Sequence, residues 1–88
     1  MTRTNHLIFG VHITDRLRHV SKVQELLSRY GCNIKTRLGL HEVSQTACSP
    51  NGLLILEMFG DETLCEELFT QLNAVEGVEA KKIVFNHP

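Results

Sequence analysis

Residues 32–60, CNIKTRLGLHEVSQTACSPNGLLILEMFG, decide how the rest of the chain is read. Residues 32–42 carry Cys32, Ile34, Leu38 and Leu40 in alternation with Asn33, Lys35, Arg37 and His41. That period of two is the mark of a half-buried or edge strand. Residues 43–52 form a polar loop that closes on Ser49-Pro50-Asn51-Gly52, too long for a two-residue hairpin turn. Residues 53–59 are almost wholly apolar and predict a central strand covered on both faces.

On the N-terminal side, residues 6–14 alternate as a strand, with Leu7, Phe9, Val11 and Ile13 on one side and Ile8, Gly10 and His12 on the other. Thr14-Asp15 is the expected N-cap of a helix, because a short side-chain oxygen can accept from the free amides of the first turn. Leu17, Val20, Val23, Leu27 and Tyr30 then recur at helical spacing, and Gly31 is the expected left-handed stop. On the C-terminal side Asp61 caps a second helix, with a stripe of Leu64, Leu68, Leu72 and Val75 flanked by Cys65 and Phe69. Gly77 ends that helix and residues 78–85 make the last strand.

The halves share one timing. Asp15 to Gly31 and Asp61 to Gly77 span the same distance, and the same offset pairs Leu7 with Leu53 and Ile13 with Phe59. Two β-α-β units of this kind are what a ferredoxin-like split sheet requires. Right-handed crossovers place both helices on one face of a four-stranded antiparallel sheet. The fold class is therefore α+β, in the order β-α-β-β-α-β, as one domain over residues 1–88. In residues 53–59, Leu53, Ile55 and Phe59 point one way while Leu54, Leu56 and Met58 point the other. Glu57 argues against covering one set and His12 against the other, so alternation leaves the covered face open. Either choice leaves an apolar row exposed in a monomer, and such rows mark interfaces. A homo-oligomer, dimer or tetramer, is expected.

Nine basic and ten acidic residues leave the chain near neutral, so no charge field recruits DNA or anionic lipid, and direct specific DNA binding is not expected. Three cysteines without CxxC spacing fit reduced thiols in a cytoplasmic protein. No apolar run reaches membrane-spanning length. No cysteine has a base beside it, and no glycine-rich phosphate loop is present, so an enzyme is not expected and no catalytic residue or cofactor is assigned. Among five histidines, none pairs at metal-ligand spacing on one element; His41 and Cys48 bracket the central loop and form the weak metal alternative.

Thr14-Asp15-Arg16, Leu26-Leu27 with Tyr30-Gly31, Ile34 with Arg37-Leu38-Gly39, and Gly77-Val78 before a lysine-bearing last strand occur in a set order. In that order and spacing the chain resembles the iron-only hydrogenase system regulators, small single-domain proteins with an ACT-like fold. The resemblance runs over roughly residues 7–85. It implies a non-catalytic regulatory or ligand-sensing module, acting through its oligomer and through protein partners. Related ACT domains bind small ligands where subunits meet, which places the expected ligand contacts at Asp15, Arg16, Arg37, Gly39 and His41. ACT domains usually carry a glycine soon after the acidic residue of the first turn, whereas here Arg16-Leu17-Arg18 follows Asp15. The ligand-binding domain of the nickel-responsive repressor is another ACT-like relative. It implies the alternative of a metal sensor using His41 and Cys48, although the chain lacks that domain's His-x-His pair.

Overall fold

Leu7, Phe9, Val11 and Ile13 are all buried, so alternation in the first strand sets one side of it against the core. The computed structural model describes residues 5–40 and 52–86, the side chains of Arg16, Leu17 and Leu40 excepted. The elements are β1 (His6–Ile13), α1 (Arg16–Arg29), a 3-10 turn (Gly31–Asn33), β2 (Ile34–Leu40), β3 (Gly52–Met58), α2 (Glu62–Asn73) and β4 (Val78–Phe85). The strands form one sheet in the order β2-β3-β1-β4, and every neighbouring pair is antiparallel. This is the ferredoxin-like arrangement the sequence predicts.

The helices settle which face is covered. Val23, Leu26, Leu27 and Tyr30 of the first helical unit and Cys65, Leu68 and Leu72 of α2 join Phe9, Val11, Leu56, Met58 and Ala80 in one buried cluster. Leu54, Leu56 and Met58 therefore lie beneath the helices, and Leu53, Ile55 and Glu57 lie on the open face. The stripe of α2 is rotated from the expected one, since Leu64 is exposed while Cys65 is buried. There the Cys65 thiol donates toward the Phe59 carbonyl at 3.8 Å, in the turn just before the helix.

The two halves differ where the sequence repeat made them alike. Asp61 is an extended N-cap whose carboxylate accepts from the Thr63 and Leu64 amides at 2.8 and 3.4 Å. Asp15 occupies the same position before α1 in the left-handed region, at φ 51°, with no side-chain capping bond to that helix. Gly31 is not a left-handed stop either. α1 closes on Tyr30 at φ −103°, and Gly31 opens the 3-10 turn that takes the place of the first residues expected in the second strand. Gly77 does adopt a positive φ, 80°, but four residues beyond the end of α2, in the turn into β4. Asp61→Ala is expected to cost about 1 kcal/mol through loss of the capping acceptor. Urea denaturation monitored by circular dichroism measures it; an unchanged midpoint would show that the cap contributes nothing.

Candidate functional site

On the open face the register lays out rows across the four strands. Thr36, Glu57, Ile8 and Ile83 form one row; Leu38, Ile55, Gly10 and Lys81 the next; Leu53, His12 and Glu79 the third. Ile83 is 56% exposed and Leu38 52%, Ile8 and Ile55 are half-buried, and Phe85, paired with His6 beyond the first row, is 42% exposed. Gly10 sits in the middle row, and a Cβ placed there would meet nothing within 4 Å. The centre of the face is therefore a shallow dent bordered by Ile55. A glycine inside a strand commonly marks a site where another chain or a ligand approaches closely.

A shift of pairing in β2 builds part of this face. Ile34 pairs with Met58 but Thr36 pairs with Glu57, so Lys35 is the extra residue of a bulge. The bulge reverses the alternation. Ile34 packs against the core beneath the helices, while Leu38 crosses to the open face. The sequence pattern had put Ile34 and Leu38 on one side, and simple period-two reading cannot see the extra residue. Bulges also blunt an exposed edge strand against further pairing.

At the end of the sheet where β1 and β2 begin, the open face turns polar. The Glu57 carboxylate accepts from Thr36 Oγ1 at 2.8 Å on Oε1 and from His6 Nε2 at 2.9 Å on Oε2. Lys35 Nζ stands 3.9 Å from the same Oε2, beyond hydrogen-bond distance. The hydrogen bond from Thr36, then that from His6, and the Lys35 charge hold the Glu57 carboxyl below its usual range, against the opposing effect of burial. It is ionised at neutral pH. The His6 ring packs obliquely on Phe85, centroids 5.9 Å apart. Beside this group lies a cleft of about 400 Å³ lined by Asn5, His6, Lys35, Glu57 and Phe59. Phe59 is 63% exposed at its rim. Its backbone is fixed by bonds to Asn33: the Phe59 amide donates to the Asn33 carbonyl at 2.8 Å, and the Asn33 amide group donates back at 3.1 Å.

Of the residues expected from the sequence as ligand contacts, Asp15 and Gly39 lie toward the opposite end. Asp15 lies two residues beyond the end of β1, Gly39 lies near the last residue of β2, and both strands run the same way. Arg37 pairs with Leu56 in mid-strand, so it belongs to the helix-facing side, yet it is exposed because β2 is the sheet edge. The Arg16 side chain, His41 and Cys48 lie outside the described residues, and so does the proposed metal pair. Among the described residues no group of three or more histidine, cysteine or acidic side chains is gathered for a metal. Cys32 is exposed, and burial pushes the Cys65 thiol up, which disfavours a thiolate there. His6, Lys35, Thr36 and Phe59 were not singled out by sequence reasoning. The one available signal was Glu57, a charged residue within an otherwise apolar central strand.

Among the described residues no helix is long and apolar enough to cross a membrane. No family model and no curated sequence matches the chain. Solved structures do. An uncharacterized protein from Thermotoga maritima is similar with a TM-score of 0.76 and 21% identity, over 92% of this chain and 98% of that one. CPII from Thiomonas intermedia K12, a nitrogen regulatory PII-like protein bound to ADP, AMP and bicarbonate, is similar with a TM-score of 0.55 and 17% identity, over 99% of both chains. A second CPII structure, bound to ADP, AMP and acetate, gives 0.51 and 16%, over 100% of this chain and 95% of that one. At these identities the likeness is one of fold: the chain shares a ferredoxin-like architecture with these proteins along almost its whole length.

Proposed function

We propose that this chain is a non-catalytic regulatory domain that senses a small ligand and works as a homo-oligomer joined through the open sheet face. The observation that carries the reading is the face itself: Leu38, Leu53, Ile83 and Phe85 exposed and Ile55 half-buried around the dent at Gly10. Fully burying one such side chain is worth about 1.5–3 kcal/mol, and several lie within one patch. A second copy is the occupant that the charges favour. The face presents two lysines, Lys35 and Lys81, and two glutamates, Glu57 and Glu79, so an identical surface meets no net repulsion. A two-fold pairing closes such an interface on itself, and a tetramer follows where a second patch is used as well.

The regulatory part of the reading draws on two supports. The ordered short motifs resemble the iron-only hydrogenase system regulators, and we propose that system as the one regulated. CPII, a fold neighbour, is a nitrogen regulatory protein bound to adenine nucleotides, which favours ligand sensing over catalysis for a domain of this architecture. The wild-type chain is expected to scatter light as a dimer or tetramer at tens of micromolar. Ile55→Lys, on the open face, is expected to give a folded monomer, because an ammonium set into the centre of the apolar contact cannot be buried without a partner. A monomeric wild type, or an Ile55→Lys protein that assembles as before, would remove the open face from the argument.

A further inference from the structure

The cleft beside Glu57 has the dimensions of a small-molecule site, within the range of about 300–1,000 Å³ usual for such pockets. Its chemistry restricts what can enter. A carboxylate has about four acceptor positions, and Thr36 and His6 occupy one on each Glu57 oxygen. The remaining positions can only accept, so the ligand must bring a donor. Lys35 is 63% exposed and stands 3.9 Å from the carboxylate, so its ammonium can turn to an anion on the ligand. The exposed ring of Phe59 supplies a flat apolar wall at the rim, and Asn5 adds an amide that both donates and accepts.

The geometry points to a binding site for a planar heteroaromatic amine carrying an anionic group, held by Glu57 at its amine, by Phe59 at its ring and by Lys35 at its anion. Adenine nucleotides have this combination: an exocyclic amine, a stacking ring and a phosphate. The inference rests on the ligand-sensing reading above and gives it a place, at the end of the sheet opposite to Asp15 and Gly39. At the rim of the open face, a ligand there would sit against a bound second copy, where it can favour one assembly over another.

Calorimetric titration of the full chain with AMP, adenosine and inorganic phosphate tests it. AMP is expected to bind. Phe59→Ala and Glu57→Gln are each expected to weaken it about tenfold or more, through lost stacking and a lost charged acceptor. Lys35→Ala is expected to weaken AMP while leaving adenosine unchanged, a split that a general loss of structure would not produce. Light scattering on each variant separates effects on assembly from effects on binding. Where Glu57→Gln alters assembly, the two exposed positions, Phe59 and Lys35, decide. AMP binding that ignores all three substitutions and falls with Arg37→Ala overturns the site and moves ligand sensing to the helix-facing side of the β2 edge. Absence of any AMP or adenosine binding at millimolar concentration overturns the inference, and the oligomer is then judged by scattering.

Discussion

Leu56→Lys is expected to prevent folding, although the same change one residue earlier, at Ile55, should leave the fold intact. Leu56 is fully buried beneath the helices, in the cluster that contains Phe9, Val11, Leu68 and Leu72. Removing its branched side chain costs about 2–5 kcal/mol in packing. A lysine in its place must bury an ammonium or surrender the proton, and full burial shifts such a pKa by about 3–5 units. Each unit is about 1.4 kcal/mol, so the electrostatic part alone adds several more. Nothing buried nearby can pair with the charge, since the core contains no polar or charged residue among the described ones. The sum reaches the entire stability of a typical small domain, about 5–15 kcal/mol. Dispersed amide resonances in the NMR spectrum and a cooperative thermal transition should be lost in Leu56→Lys and kept in Ile55→Lys. A folded Leu56→Lys protein with the wild-type midpoint would mean that β3 presents its other side to the helices.

That contrast marks the limit of reading this strand from sequence. Residues 53–58 are apolar at nearly every position, so period-two alternation gives two equally good faces, and only the packing of α1 and α2 separates them. Glu57 and His12 pulled in opposite directions in that reading. In the structure they do not conflict, because both lie on the open face, Glu57 beneath Thr36 and His6 and His12 exposed to solvent. The order of elements, by contrast, was legible, and β4 fell on the same residues in both readings, because each break carries a turn residue or a cap. What failed was local geometry. The matched Asp and Gly positions predicted equivalent caps, yet Asp15 is left-handed where Asp61 is extended, and Gly31 begins a 3-10 turn where Gly77 is left-handed. Residue identity permits these conformations without choosing among them. The polar cluster at Glu57 was illegible for a related reason: His6, Thr36 and Glu57 belong to three strands, and the Lys35 bulge that completes their meeting changes register without any signature in the chain.

Gly77 is where backbone and packing constrain one residue together, and Gly77→Ala is expected to destabilise the domain by about 2–3 kcal/mol. Its φ of 80° lies in the left-handed region, where a Cβ costs about 1–2 kcal/mol. Space is short as well. A Cβ at Gly77 would stand 2.6 Å from His19 Cδ2 and 2.7 Å from His19 Nε2, distances that no real methyl group tolerates. The His19 ring projects from α1 and is only partly buried, so it can swing aside, which holds the steric part near 1 kcal/mol. The loop itself cannot retreat as easily. The Gly77 carbonyl accepts from the Thr14 amide at 2.7 Å, and the next residue, Val78, pairs with Ile13. Moving Gly77 would disturb the end of β1 and the start of β4 together. A double-mutant cycle divides the two causes. His19→Ala in the Gly77→Ala background should recover the steric part and leave the strain, so the double variant stays below His19→Ala by about 1–2 kcal/mol. In thermal unfolding the single Gly77→Ala change should lower the midpoint by about 10–20 °C for a domain of this size. An undisturbed midpoint would show that the turn relaxes to a negative φ at no cost. A deficit that His19→Ala fails to reduce would assign the whole effect to the backbone.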